Sequence, residues 1–197
     1  MTIKKKRICV ITGSRAEYGL LRKLIAQIEK DKTLKLQLLV TGSHLEKKYG
    51  YTIREIEKDN FLIDAKIKIH EKDVESYPNI VSKGIKGISS EISKLKPDLV
   101  LLLGDRYEIF SAAIAAFFLQ VPIAHIHGGE VTLGSMDEII RHAITKMSHI
   151  HFVAAEEYKK RVIQLGEDPS KVFNVGGLGV DVIRQTKLTS KNKLEKE

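Results

Sequence analysis

The sequence predicts an α/β fold with a doubly wound, mostly parallel sheet of about six or seven strands. Short apolar segments alternate along the chain with segments whose apolar residues have helical spacing. Several apolar segments end in glycine and polar residues, which is typical of strands buried on both faces of a parallel sheet. Right-handed crossovers place the carboxyl ends of such strands at one edge, so we expect these polar residues to converge there.

The first half of the chain alternates strand and helix patterns in this way. An apolar strand is followed by glycine and then by an amphipathic helix, and a second strand also ends in glycine. Proline 97 ends a long helical pattern that precedes the central strands. The predicted strands are residues 7–12, 34–41 and 61–69, the predicted helices are residues 20–30, 52–59 and 79–95, and residues 70–76 form a charged loop.

The second half begins with two strands that are expected to be central. Residues 99–103 are a five-residue apolar run closed by Gly104, and residues 121–126 form the next apolar run, before His127. A helix rich in alanine, isoleucine and phenylalanine connects them. The remaining predicted elements are helices at 107–120, 139–147 and 156–165 and short strands at 149–153 and 171–175. We expect one domain over residues 1–183 and a polar linker or tail over residues 184–197.

Length and composition limit the class of protein. The 197 residues are 43% hydrophobic, which is enough chain for a sizeable core. No apolar run approaches the roughly 20 residues that span a bilayer, and residues 8–11 are too short for a signal peptide core. We therefore expect a cytoplasmic protein with no membrane partner. Cys9 is the only cysteine, so the chain can form neither an internal disulfide nor a cysteine metal cluster.

The net charge of +8 is concentrated at the ends of the chain. Residues 4–7 contribute four positive charges and residues 187–197 contribute two net positive charges, which leaves about two for the body. The sequence has no arginine-rich recognition helix and no set of stacking aromatic residues. We therefore expect no nucleic-acid partner.

The first strand leads through a glycine-containing turn, residues 13–19, into a helix. This arrangement points backbone N–H groups at an anion, although a simple tight turn is the alternative. The turn lacks the lysine of a P-loop and the three spaced glycines of a dinucleotide fingerprint. Arg15 is its informative residue, because a guanidinium beside a helix N-terminus suits a diphosphate.

Polar residues also follow the central strands. Asp105 and Arg106 come after the first of them, and His127 and Glu130 after the second. Each residue has a structural alternative: Asp105 and Asp137 could be helix N-caps, Glu130 a solvated loop residue, and His125 and His142 structural histidines. Capping does not explain the whole cluster, so we expect a binding or catalytic rim that also includes Arg15 and His44.

Five motifs occur in order: Gly-Ser-Arg-Ala-Glu-Tyr-Gly from residue 13, Thr-Gly-Ser-His from 41, Gly-Asp-Arg-Tyr-Glu from 104, His-Ile-His-Gly-Gly-Glu from 125 and Asp-Glu-Ile-Ile-Arg-His from 137. Together they resemble the N-terminal half of the UDP-N-acetylglucosamine 2-epimerases, most closely the hydrolysing type of sialic acid biosynthesis. The resemblance covers about residues 5–183. It implies the first Rossmann-like domain of a two-domain, glycosyltransferase-B-like fold, with the C-terminal domain absent from this sequence.

The resemblance also implies a reaction without metal, nicotinamide or other cofactor. UDP leaves C1 of UDP-N-acetylglucosamine as a proton leaves C2, and water then adds to the glucal to give N-acetylmannosamine. Asp105 and Asp137 are the implied catalytic carboxylates. The implied substrate-binding residues are Gly13, Arg15 and Arg106 on the UDP side and His44 on the sugar side.

His127 departs from the family pattern, because many relatives have glutamate at this position. Either the His127 imidazole or the nearby Glu130 carboxylate could act as the acid or base, and both remain candidates. We expect a homo-oligomer at full length and an inactive isolated domain. The alternatives are a related epimerase acting on a UDP-diacetamido sugar of the legionaminic acid type, non-hydrolysing epimerisation, and a non-catalytic nucleotide-sugar binding module.

Overall fold

The computed structural model describes residues 4–70 and 76–185. Within them lie seven strands and seven α-helices that largely alternate along the chain. The strands are β1 (Lys6–Thr12), β2 (Leu34–Thr41), β3 (Ala65–Ile67), β4 (Leu99–Leu103), β5 (Ile123–Ile126), β6 (Ile150–Val153) and β7 (Val172–Asn174). The helices are α1 (Arg15–Lys30), α2 (Ile53–Lys58), α3 (Tyr77–Leu95), α4 (Tyr107–Phe118), α5 (Met136–Met147), α6 (Glu156–Gln164) and α7 (Leu178–Gln185).

The seven strands form one sheet in the order β3-β2-β1-β4-β5-β6-β7. Every neighbouring pair is parallel. This confirms the predicted doubly wound, Rossmann-like fold class. The strand order reverses between β1 and β4, and in open α/β sheets ligands bind beyond the carboxyl ends of the strands at such a switch point. The turns after β1 and β4 are therefore the expected place for a site.

The sheet is covered on both faces by separate apolar cores. One core packs α3, α4 and α5 against the face that includes Cys9, Ile11 and Leu102, and the other packs α1 and α2 against the face that includes Val10 and Leu101. This division follows from the alternation of side chains along each strand. Among the described residues, no helix is long and apolar enough to cross a membrane.

Three elements differ most from the sequence prediction. Helix α1 begins at Arg15, because the Ser14 side chain caps it, and Gly19 lies inside the helix rather than in the turn. Strand β3 has only three residues, since only Ala65–Ile67 pair with β2. Helix α7 was not predicted, because its short sequence lies close to the polar tail. The domain boundary at residue 183 remains a prediction, and residues 71–75 of the predicted loop and 186–197 of the tail lie outside the described residues.

Candidate active site

Two neighbouring hollows lie at the carboxyl edge of the sheet. The first, here called the cleft, measures about 230 Å³ and lies between the start of α1 and the turns after β4 and β5. The second, here called the aromatic hollow, measures about 350 Å³ and is lined by Ser43, Tyr49, Tyr77, Tyr107, Met136 and Asp137. Arg106 lines both hollows. The polar side chains of the cleft are those of Ser14, Glu17, Asp105, Arg106, His127, Glu130 and Arg141.

Asp105 follows Gly104 directly at the end of β4 and is paired with Arg141 of α5. Arg141 also donates to the Glu130 carbonyl at 2.9 Å and to Thr132 Oγ1 at 3.1 Å, so its guanidinium is fixed on three sides. Burial raises the pKa of Asp105 even though the positive charge of Arg141 opposes this shift. A carboxyl group in this environment is better suited to exchanging a proton near neutral pH than an exposed aspartate.

His125 supports the turn that carries Asp105. The imidazole is fully buried, its Nε2–H donates to the Gly104 carbonyl at 2.8 Å, and its Nδ1 lies 3.2 Å from Thr145 Oγ1 on α5. Burial lowers the pKa of His125 to about 4, so the ring is neutral at physiological pH. These surroundings fit the structural role that was one of the two interpretations of His125.

His127 and Glu130 form one hydrogen-bonded pair in the cleft, with 3.1 Å between His127 Nδ1 and Glu130 Oε1. The Leu178 N–H at the start of α7 donates to His127 Nε2 at 3.4 Å, so Nε2 is an acceptor and Nδ1 carries a proton, facing Glu130. The hydrogen bond from His127 lowers the pKa of Glu130. The two alternatives for an acid or base at this position are thus the two halves of a single unit.

Arg106 is held by two buried carboxylates that the sequence analysis did not place among the site residues. Glu108 accepts from Arg106 Nε and Nη2, both at 3.2 Å, and Glu17 Oε1 lies 3.8 Å from Nε. Burial, with the nearby charge of Glu108, raises the pKa of Glu17 to about 8. The spacing Ser14-x-x-Glu17 is a capping-box pattern that could have indicated a structured Glu17.

Gly13 does not offer its amide to a ligand as expected. Its N–H donates to Glu17 Oε2 at 2.8 Å, and its carbonyl accepts from Ser43 Oγ at 3.0 Å. A Cβ atom at this position would lie 2.9 Å from Cβ of Glu108. Gly13 therefore allows Glu108 to approach the β1–α1 turn, and the expected role of its backbone in binding an anion is not supported by this geometry.

Arg15 and Asp137 lie at the same sheet edge but not in the cleft. The Arg15 side chain is 72% exposed and pairs with Glu55 of α2 at 2.9 Å. Its position at the start of α1 fits the prediction, but its guanidinium is directed at α2. Asp137 lines the aromatic hollow on the other side of Arg106, and its negative charge contributes to the raised pKa of Asp105.

His44, expected on the sugar side, lies in the core beside this edge of the sheet. The imidazole is fully buried, with Nδ1 2.8 Å from Thr52 Oγ1 and Nε2 3.2 Å from Thr12 Oγ1, and its ring meets Tyr18 edge to face. Burial lowers the pKa of His44 to about 4. Because both ring nitrogens already have partners in the core, His44 acts as a structural link between β1 and the start of α2.

The two buried histidines predict a loss of stability in mild acid. The pKa values of His44 and His125 in the folded chain, each about 4, lie below the reference value of 6.5. The unfolded chain therefore binds protons that the folded chain excludes as the pH falls from 6.5 towards 4, whereas above pH 6.5 the effect is absent. The two histidines alone should lower the free energy of unfolding by about 2 kcal/mol between about pH 6.5 and 5.5, and the raised pKa of Glu17 offsets about 1 kcal/mol of this fall. The fall should therefore be larger in Glu17→Gln than in the wild type. Urea denaturation at several pH values measures this, and a constant free energy over that interval would contradict it.

Among residues 4–70 and 76–185, no group of three or more His, Cys, Asp or Glu side chains could hold a metal ion. The ionisable side chains of the cleft are three carboxylates, one histidine and two arginines. Together with the switch-point position, these groups define a Rossmann-like domain with an acid–base cleft that suits an anionic ligand.

The chain belongs to the UDP-N-acetylglucosamine 2-epimerase family, whose family model matches residues 26–197. It is 44% identical, over 98% of its length, to GDP/UDP-N,N'-diacetylbacillosamine 2-epimerase (hydrolyzing) of Campylobacter jejuni, and 47% identical, over 96%, to polysialic acid biosynthesis protein P7 of Escherichia coli. It covers 51% and 49% of these two relatives.

A solved structure gives the same fold. The UDP-GlcNAc 2-epimerase from Neisseria meningitidis bound to UDP-GlcNAc superposes with a TM-score of 0.84 over 97% of this chain and 52% of that one, at 23% identity. The chain thus spans about half the length of the relatives that it matches.

Proposed function

We propose that this chain forms the acid–base wall of a hydrolysing UDP-N-acetylglucosamine 2-epimerase, which converts UDP-N-acetylglucosamine and water into N-acetylmannosamine and UDP. Two kinds of support exist. The family and the Campylobacter jejuni relative are named as epimerases of nucleotide-linked amino sugars. The cleft holds proton-exchanging groups and cations together at the switch point.

The observation that carries the proposal is the arrangement around Asp105. Its carboxyl group has a raised pKa, is fixed by Arg141, and shares one cleft with the hydrogen-bonded pair of His127 and Glu130. Inversion at a carbon that loses and regains a proton requires an acceptor on one face and a donor on the other. We assign these two roles to Asp105 and to the His127–Glu130 pair, which are separate proton-exchanging units in one cleft.

In the first half of the reaction the C2–H bond and the bond from C1 to the UDP oxygen break. The proton passes to Asp105, the C–H electron pair forms the C1–C2 double bond, and UDP departs with the electron pair of the broken C–O bond. Arg106 and Arg141 lie in the same cleft and supply positive charge beside the leaving diphosphate. Arg15, exposed at the start of α1, could be recruited from Glu55 to the same phosphates.

In the second half, water adds across the double bond. The water oxygen forms the new bond to C1, and the proton that this water loses is released to solvent. The electron pair of the double bond takes up a proton at C2, on the face opposite to that from which the first proton left. We assign this protonation to the His127–Glu130 pair: the proton on Nδ1 lies between the ring and Glu130, whose carboxyl group can pass it to C2 and recover it from solvent. Asp137 lies beyond Arg106 and would act on the sugar from the aromatic hollow.

The test is product identification by NMR, with the full-length protein and UDP-N-acetylglucosamine in D₂O. We expect free N-acetylmannosamine carrying deuterium at C2, together with UDP. Appearance of UDP-N-acetylmannosamine instead would show the non-hydrolysing reaction, and an unchanged substrate that nevertheless binds would show a non-catalytic module. Either result overturns the proposal.

A second candidate substrate has specific support. The chain is 44% identical to the Campylobacter jejuni enzyme named above and 40% identical to UDP-N,N'-diacetylbacillosamine 2-epimerase (hydrolyzing) of Legionella pneumophila. The same proton transfers would invert C2 of a diacetamido sugar. Comparing kcat/KM for the two UDP-sugars distinguishes the candidates, because the favoured substrate should have the higher value.

A further inference from the structure

One carboxyl oxygen of Glu17 is buried without a hydrogen-bond partner among the described residues. The residue is 6% exposed and lines the cleft. Oε2 accepts from the Gly13 N–H at 2.8 Å, which ties the first turn of α1 to the turn after β1. Oε1 is buried and has no hydrogen-bond partner among the described residues, and it lies 3.8 Å from Arg106 Nε. A buried polar atom left in this way is costly unless it has another role.

Arg106 provides one positive charge for two buried carboxylates. Glu108, at the start of α4, is fully buried and takes both Nε and Nη2 of the guanidinium. If Glu17 were also ionised, the three side chains would carry a net charge of −1. The second cation of the cleft, Arg141, is already paired with Asp105, so it cannot offset that charge without giving up its partner.

The other groups across the cleft reinforce this effect. Asp105, from the turn after β4, and Glu130, from the turn after β5, are carboxylates, and His127 is engaged with Glu130. An ionised Glu17 would therefore add negative charge to a site that already contains Asp105, Glu108 and Glu130. Such a site repels a diphosphate, whereas a protonated Glu17 leaves the Arg106–Glu108 pair neutral overall.

We propose that Glu17 is a positioning residue that leaves Arg106 available to the diphosphate of a nucleotide sugar only while Glu17 carries a proton. This inference rests on the proposed function for the identity of the ligand. When the ligand enters, the guanidinium can turn part of its donor set towards phosphate, because no second carboxylate charge holds it. The raised pKa of Glu17, about 8, agrees with a protonated side chain at neutral pH.

The experiment is calorimetric titration of the full-length protein with UDP between pH 7 and about 9.5. Above about pH 8 the wild-type affinity should fall about tenfold per pH unit, as required when binding is linked to one proton. Glu17→Gln keeps an acceptor for the Gly13 N–H and resembles the protonated acid, so its affinity should not show this decline. The matched control is Glu91→Gln on α3, which should retain the wild-type pH dependence.

A second measurement reports the proton directly. Infrared difference spectra of the same protein should show the C=O stretching band of a protonated carboxylic acid at neutral pH, and this band should be missing from Glu17→Gln. Equal pH slopes of UDP affinity in the wild type and Glu17→Gln, or an absent band, overturn the role of Glu17. A wild-type protein that binds no UDP at any pH contradicts the proposed function, even if the infrared band is present.

Discussion

Replacing Asp105 by asparagine is expected to lower kcat of the full-length epimerase by a factor of about 10² to 10⁴, the range typical of a lost proton-transfer group. The amide keeps the size of the side chain and an acceptor for Arg141, but it cannot take the proton from C2. Because Asp105 is also paired with a buried arginine, the substitution should cost some stability as well. The rate of N-acetylmannosamine formation, followed by NMR, measures the effect.

The control for this substitution is Asp168→Asn, which makes the same chemical change at an exposed carboxylate that caps a short 3₁₀ helix before β7. It should leave kcat unchanged. Circular dichroism shows whether each variant is folded, so that a loss of activity through unfolding is recognised. A folded Asp105→Asn enzyme with the wild-type rate would remove Asp105 from the mechanism.

The sequence was sufficient to predict that three polar side chains of the cleft meet at one edge of the sheet. Asp105, His127 and Glu130 each follow a buried strand. In a parallel sheet, the residues that follow the carboxyl ends of the strands lie at the same edge. Their common cleft therefore depends on backbone topology, which apolar runs and glycines indicate well. The direction of a side chain is a different matter, because tertiary packing decides it.

Arg15 and His44 illustrate this second point. Both were placed at the correct edge, yet Arg15 pairs with Glu55 and His44 is buried between Thr12 and Thr52. The partners lie up to 40 residues away along the chain, so no local pattern identifies them. Glu17 was missed for a related reason, since its distinctive environment is created by Glu108 and Arg106, which reach it only after β1 and β4 pair.

Replacing Gly42 by alanine is expected to cause a large loss of folding stability. Gly42 has a φ of +59°, and a Cβ atom there would lie 2.7 Å from Glu108 Cγ and 2.7 Å from the Gly13 carbonyl oxygen. Gly42→Ala should lower the free energy of unfolding by about 3 to 4 kcal/mol, of which 1 to 2 reflect the left-handed backbone and the rest overpacking. Urea denaturation of the wild type and the variant measures the difference.

Gly50 provides a matched control for this substitution. It has a φ of +85°, but a Cβ atom there would meet only Thr52 Cγ2, at 3.8 Å. Gly50→Ala should therefore cost only the backbone component, about 1 kcal/mol. Relief at Gly42 requires both a shift of the Gly13 backbone and a displacement of Glu108, and with Glu108 of its partner Arg106. Gly42→Ala should thus weaken UDP binding as well, while Gly50→Ala should not, and equal costs for the two alanines would show that Glu108 is not tightly enclosed.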